Sequence, residues 1–379
     1  MNTQISDVRS ENFDGFNVLC QALLFGAKVK VMPGQLFLIE GEDQKEKTAF
    51  VHSVALSTRL STITFVLQKR FRRAIHQRKK VPVPVGATFS YFAKKDPIKY
   101  AKKIGYPVVV KEVFGENPAF AVYNVNNPEE LVEAIAKVKA HLPTTAEHEP
   151  ASYAQTINLS SAEMDEDGTR TKSDKARFLI EKQLQGEHYR SYVVNGKHVL
   201  TLQKESNVKY EVEPPEKVKH IAEQAVSVIS GLANGTVDIV SDMSGGTYVV
   251  ELSERFIIPD ACQNRLSVCD KVFSNLLLSE VNMAGLKLRS KKTRGTYNFS
   301  FYGITSSTDF VSSLTATAAE LGAKLSVLSI DDVAGMVAVS LKSEAILSAL
   351  FIEKVFYGHH ISSLTVERKK SIKKKFLFG

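Results

Sequence analysis

The chain has 379 residues, 44% of them apolar and 24% charged, enough to bury large cores in about two or three domains. No run reaches the ~18 uncharged apolar residues of a membrane helix, and the opening MNTQISDVRSENFDGF lacks a basic-then-apolar leader, so a cytoplasmic location and no membrane partner are expected. The net charge of +8 suits phosphates or an acidic substrate as well as a nucleic acid, but no aromatic-basic interleaving of the RRM kind accompanies it, so a nucleic-acid partner is disfavoured.

In chain order, GFNVLCQALLFG (15–26) predicts a helix ending at Gly26, and alternating strands follow at 28–32 and 36–39, giving a small α/β lobe. Residues 57–79 predict one helix, which stops before VPVPVG (81–86), where two prolines enforce an extended run. Its basic run KRFRRAIHQRKK (69–80), like ERKKSIKKK (367–375) near the C-terminus, reads as a solvated basic face. A βαβ-like rhythm then begins, with a helix at 93–104, strands at 108–111 and 121–125, and a helix at 128–141 that sets Leu131, Ile135 and Val138 on one face. Residues 142–176, rich in Ser, Thr, Asp, Glu and Pro, read as a long insertion.

Strand 178–181 leads through Gly186 to a hairpin turning at Asn195-Gly196, the preferred two-residue turn. A helix at 216–232 with Val218, Ile221, Ala225, Val228, Ile229 and Leu232 on one face precedes strands at 236–240 and 247–252. From 297 onward the order is strand, helix, two strands, helix, strand, which predicts a ferredoxin-like βαββαβ domain suited to substrate recognition, oligomerisation or regulation. The expected division is thus 1–80, 81–181, 182–296 and 297–379, in an α/β (α+β) chain.

GxxxxGK[ST], GxGxxG, GxSxG, HExxH and CxxCH are all absent. Cys20, Cys262 and Cys269 are odd in number and lack CxxC spacing, so they read as free thiols. What remains is a set of Lys, Glu and Asp at strand ends, a way to hold a nucleotide without a glycine-rich loop.

Four segments carry a resemblance to a known family: VALSTR (54–59) with Gln68-Lys69 before VPVPVG, IGYPVVVK (104–111), LIEKQLQGEHYR (179–190), and VDIV (237–240) with Val250-Glu251. In this order they resemble the ATP-grasp carboxylate–amine ligases, especially the branch of cyanophycin synthetase, the glutathione-forming ligases and the ribosomal-protein glutamate ligases, over about residues 50–260. The resemblance implies an ATP-grasp fold, ATP with Mg2+ or Mn2+, an acyl-phosphate intermediate, and amino-acid or peptide substrates. A homo-oligomer is compatible with it.

By the same resemblance, Lys69 and Lys111 reach the ATP phosphates, Glu181, Lys182 and Leu184 belong to the hinge that meets adenine, and Glu187 binds the ribose hydroxyls. Arg190 and Lys204 match cations near the acyl phosphate, and Asp238, Glu251 and Ser253 match the metal ligands, magnesium preferring hard oxygen donors. Two departures stand out. ELSERFIIP (251–259) has Ser253 where the family has Asn and lacks its Pro-Gly, and the loop after Lys111 has one glycine where the family often has several. They leave a second reading, an ATP-grasp chain that binds nucleotide as a regulatory or scaffold protein.

Overall fold

The structure is a computed structural model that describes residues 13–41, 47–93, 95–113, 121–140, 177–205 and 208–369. The expected insertion at 142–176, most of the loop after Lys111 and residues 370–379 of the basic tail lie outside the described residues. The chain divides into two compact units, one made of Met1–Ser57 and Arg255–Gly379, the other of Thr58–Glu254. These units break at 57 and 254, and within the second the four-stranded sheet of residues 86–182 gives way to a five-stranded sheet that begins at Gly186.

The first unit opens with helix α1 (Phe13–Leu24) and strands β1 (Lys28–Met32), β2 (Leu36–Glu40), β3 (Lys47–Val51) and β4 (Val54–Ala55). In β1 and β2 every second side chain is buried, as a sheet with one covered face requires.

The second unit begins with α2 (Leu60–Leu67) and α3 (Lys69–Arg78) where one helix was expected. The break falls at Gln68, whose ψ of 89° is not helical, and the Lys69 N–H donates 2.9 Å to the Val113 carbonyl instead of to an α2 carbonyl. The chain continues through β5 (Gly86–Ser90), α4 (Asp96–Ile104), β6 (Val108–Glu112), β7 (Ala121–Val125), α5 (Pro128–Ala140) and β8 (Arg177–Lys182). These strands form a sheet in the order β5-β8-β6-β7, antiparallel throughout, so the βαβ-like rhythm builds no parallel pair here. Val108, Val110, Phe178 and Ile180 pack on Leu131, Ala134 and Val138 of α5.

Strands β9 (Gly186–Val194), β10 (Lys197–Glu205) and β11 (Val208–Val212), helix α6 (Glu216–Ser227), and strands β12 (Gly235–Asp242) and β13 (Thr247–Ser253) complete this unit. Their sheet runs β11-β10-β9-β12-β13. The β9–β10 hairpin turns at Asn195 and Gly196, with φ of 49° and 71°, the positive pair that a type I′ turn demands. Gly186 is needed for close approach, since a Cβ there would lie 1.9 Å from the Ser241 carbonyl oxygen. Val218, Ile221, Ala222 and Ala225 of α6 pack on Tyr189, Val193, Val237 and Ile239. Each buried Val or Ile contributes about 1.5–3 kcal/mol, so this face holds α6 more than its own propensity does.

The chain then returns to the first unit with α7 (Arg265–Met283), β14 (Arg294–Tyr302), α8 (Ser307–Glu320), β15 (Lys324–Asp331), β16 (Met336–Glu344), α9 (Ala345–Gly358) and β17 (Ser363–Arg368). The order β15-β16-β14-β17 is that of a ferredoxin-like sheet, and β17 pairs antiparallel with β1. The βαββαβ segment is therefore one half of an eight-stranded sheet that also holds β1–β4. Buried Asp14 ties the two pieces of this unit, accepting hydrogen bonds from Ser53 Oγ at 2.9 Å and from Arg255 Nη2 at 2.7 Å. Among the described residues no helix is long and apolar enough to cross a membrane.

Candidate functional site

Helix α3 sets Lys69, Arg72, Arg73 and His76 at i, i+3, i+4 and i+7, so one face carries four basic side chains, and all four are buried. This corrects the reading of the run as a solvated face. Its other side, Arg70, Phe71, Ala74 and Gln77, is exposed or half-buried. The buried stripe lines a cleft together with Lys111 from β6, Glu181 from β8 and Glu251 from β13. Lys111 Nζ donates 2.9 Å to Glu181 Oε2, and Arg73 donates to the other oxygen at 2.5 Å and also to the Pro84 carbonyl. Arg72 donates to Glu251 Oε1 and, at 2.6 Å, to the Leu252 carbonyl.

Burial alone would depress the Lys111 ammonium, but the carboxylates of Glu181 and Glu251 outweigh it and hold its pKa above the ordinary value. For Lys69 burial wins, and its pKa is lowered despite Glu251 and Glu112, with Arg72 and Lys111 adding repulsion. Burial would raise Glu251, yet Arg72, Lys69 and Lys111 hold it below the usual carboxylate range. Among the described residues that line the cleft, Lys69, Arg72, Arg73 and Lys111 thus stand with Glu181 and Glu251, a positive surplus in a shielded place. Such a lining suits an anion with several charges.

Glu251 also begins a second row. Across β13, β12 and β9 it stands opposite Asp238, which stands opposite Arg190. Arg190 forks onto Asp238, Nε and Nη2 each 2.7 Å from one oxygen, and although burial opposes it this pairing keeps the Asp238 carboxyl below its ordinary pKa. Ser253 lies two residues after Glu251 on β13, opposite Thr236. Two carboxylates on paired strands with a hydroxyl two residues on are oxygen donors of the kind magnesium takes, although here Arg190 holds both Asp238 oxygens and Arg72 holds one of Glu251. Among the described residues no group of three or more His, Cys, Asp and Glu assembles.

Lys69, Lys111, Glu181 and Glu251 thus meet in one cleft, with Asp238 and Arg190 in the row beside Glu251. The others stand apart. Lys204 is exposed on β10 opposite His188 and Lys209, and Glu187 is exposed on β9, accepting from Tyr189 Oη at 2.7 Å. Lys182 spends its ammonium on the carbonyls of Gly105 and Tyr106, at 3.1 and 2.9 Å. Leu184 lies half-buried between β8 and β9. Arg72, Arg73 and His76 were missed, although the 69-72-73-76 spacing was a signal for them.

The buried His76 ring donates through Nε2 to the Ala225 carbonyl, 3.0 Å away. Burial pushes its pKa down to about 4, the Ala225 carbonyl opposes this, and Arg72 adds to it. As the pH falls from the ordinary 6.5 towards 4, the unfolded chain takes up a proton that the folded site refuses, so the contribution of His76 to stability falls on acidification. Glu112 and Glu353, both pushed up to about 7 by burial, act in the opposite direction over part of this window. The comparison with His76→Gln isolates the histidine: the stability of the unaltered protein relative to the variant, from denaturant midpoints, should fall by up to about 3 kcal/mol as the pH drops from 6.5 to 4.

No protein-family model matches the chain, and no curated protein matches it. Among solved structures, the D-alanine-D-alanine ligase from Coxiella burnetii is similar at 14% identity and a TM-score of 0.43, over 60% of this chain and 59% of that one. The Bacillus anthracis enzyme complexed with ATP is similar at 15% identity and TM-score 0.42, over 60% and 68%. The ATP-grasp ligase PsnB complexed with a minimal precursor is similar at 15% identity and TM-score 0.38, over 58% and 61%. The chain thus spans about six-tenths of the length of the first of these ligases.

Proposed function

We propose that the unit Thr58–Glu254 is an ATP-grasp carboxylate–amine ligase that binds ATP with its triphosphate in the basic cleft. One observation carries the reading: a buried lining with Lys69, Arg72, Arg73 and Lys111 against two carboxylates. The motif resemblance supports the remaining roles. Lys69 and Lys111 orient the phosphates, the backbone of Glu181, Lys182 and Leu184 meets adenine, and Glu187 takes the ribose hydroxyls. Asp238 and Glu251, with Ser253, hold magnesium, or manganese in its place, which supplies charge neutralisation on the phosphates.

In this reading a substrate carboxylate oxygen attacks the γ-phosphorus, the bond to the β-phosphate oxygen breaks, and ADP leaves. An amine nitrogen then attacks the acyl carbon, phosphate departs and the amine proton is lost, leaving an amide. Arg190 and Lys204 steady the acyl-phosphate oxygens, and closure of residues 81–181 over the cleft excludes water. Amino acids or peptides supply both groups, and a cytoplasmic location goes with the supply of ATP.

A second reading, nucleotide binding without turnover, is favoured by two features. Arg190 occupies both Asp238 oxygens, and Ser253 is a poorer donor than the family amide. A panel of amino acids and dipeptides with ATP and magnesium separates the two. Phosphate release stimulated by one panel member and lost in Asp238→Asn and Glu251→Gln is the expected result. ATP binding without stimulation by any member favours the second reading, and no binding at all ends both.

A further inference from the structure

Among the described residues strand β15 is one edge of the eight-stranded sheet, paired only with β16 on its inner side. It is also apolar and exposed, with Val327 at 45%, Leu328 at 55% and Ile330 at 46%, and Val333 stands in the open just beyond. An exposed apolar edge is a template for another strand unless something blunts it.

The sequence of this edge, KLSVLSID (324–331), is complementary to itself when reversed. Two antiparallel copies centred between Val327 and Leu328 would set Lys324 opposite Asp331, Leu325 opposite Ile330, Ser326 opposite Ser329, and Val327 opposite Leu328. In a regular strand this pairing is forbidden. Partners across a twofold axis must share a face, whereas residues an odd number apart point to opposite faces.

A β-bulge removes the obstacle. The register slips between Val327 and Ser329, leaving Leu328 as the extra residue. Before the slip Leu325 and Val327 oppose Leu341 and Val339, and after it Ile330 opposes Val337, so these three share a face. Lys324 and Ser326 oppose Lys342 and Ser340, while Ser329 and Asp331 oppose Ala338 and Met336, so they share the other. With the bulge at its centre, every pair of the reversed alignment away from that centre lies on a common face. Lys324 moreover stands opposite Lys342 within its own sheet, a like-charge contact that an aspartate on the free side would relieve.

We propose that two copies of this chain pair antiparallel through β15 about a twofold axis at the Val327–Leu328 bulge, joining their sheets into one. The interface is isologous, so each charge pair occurs twice. The inference is independent of what the basic cleft binds.

Sedimentation of the full chain over a concentration series tests it. The unaltered protein should pass from monomer to dimer. Lys324→Asp and Asp331→Lys each set like charges opposite one another at two places, and each should weaken association about tenfold. The double variant Lys324→Asp/Asp331→Lys restores both pairs and should associate like the original. These side chains are on the surface, and circular dichroism confirms that each variant is folded. A chain that stays monomeric throughout would mean that the bulge guards the edge, and the proposal falls. It falls equally if the single variants associate normally, or if the double variant is as weak as either single one.

Discussion

Replacing Glu181 with alanine is expected to cost about 3–5 kcal/mol of folding stability, more than any other change in the cleft. Its two oxygens accept from Arg73 and Lys111, and all three groups are buried. Removing the carboxylate leaves two cations close together in a shielded place, each deprived of its partner, and the backbone carbonyl that Arg73 also touches cannot neutralise one of them. Equilibrium denaturation at neutral pH measures the loss. Polyphosphate should recover part of it, because an added anion takes over the lost charge. A loss below about 1 kcal/mol would place this cluster among ordinary surface pairs.

Lys111→Met should separate catalysis from stability. Here Glu181 retains Arg73, and Glu251 retains Arg72 with Lys69 nearby, so no carboxylate is left alone. The fold should lose about 0.5–3 kcal/mol, the usual span for one substitution. ATP-dependent phosphate release, in contrast, should fall about 10²–10³-fold, the effect of removing one preorganised donor from developing charge. Wild-type turnover and nucleotide affinity in this variant would mean that the triphosphate does not lie in the cleft, whatever the stability result.

Much of the local structure was legible. The Asn195-Gly196 hairpin, the apolar face of α6 and the βαββαβ order near the C-terminus all follow from turn chemistry and periodicity over a few residues. Helix α7 was legible but not predicted: Val268, Val272, Leu276 and Glu280 fall at helical spacing on its buried face. The break at Gln68 was not legible, because it depends on the Val113 carbonyl, far along the chain, capturing the Lys69 N–H.

By itself the sequence determined most of the elements, the strands that carry Lys111, Glu181, Asp238 and Glu251, and the basic character of α3, since these depend on neighbours within a turn or an alternation. Tertiary structure alone decided that β17 pairs with β1 and that Arg190 clasps Asp238. It also turned the cationic face of α3 inward, because two carboxylates from β8 and β13 are there to receive it. A run of arginines has the same composition on a wet surface or in a cleft, and only the charges brought opposite it decide which is stable.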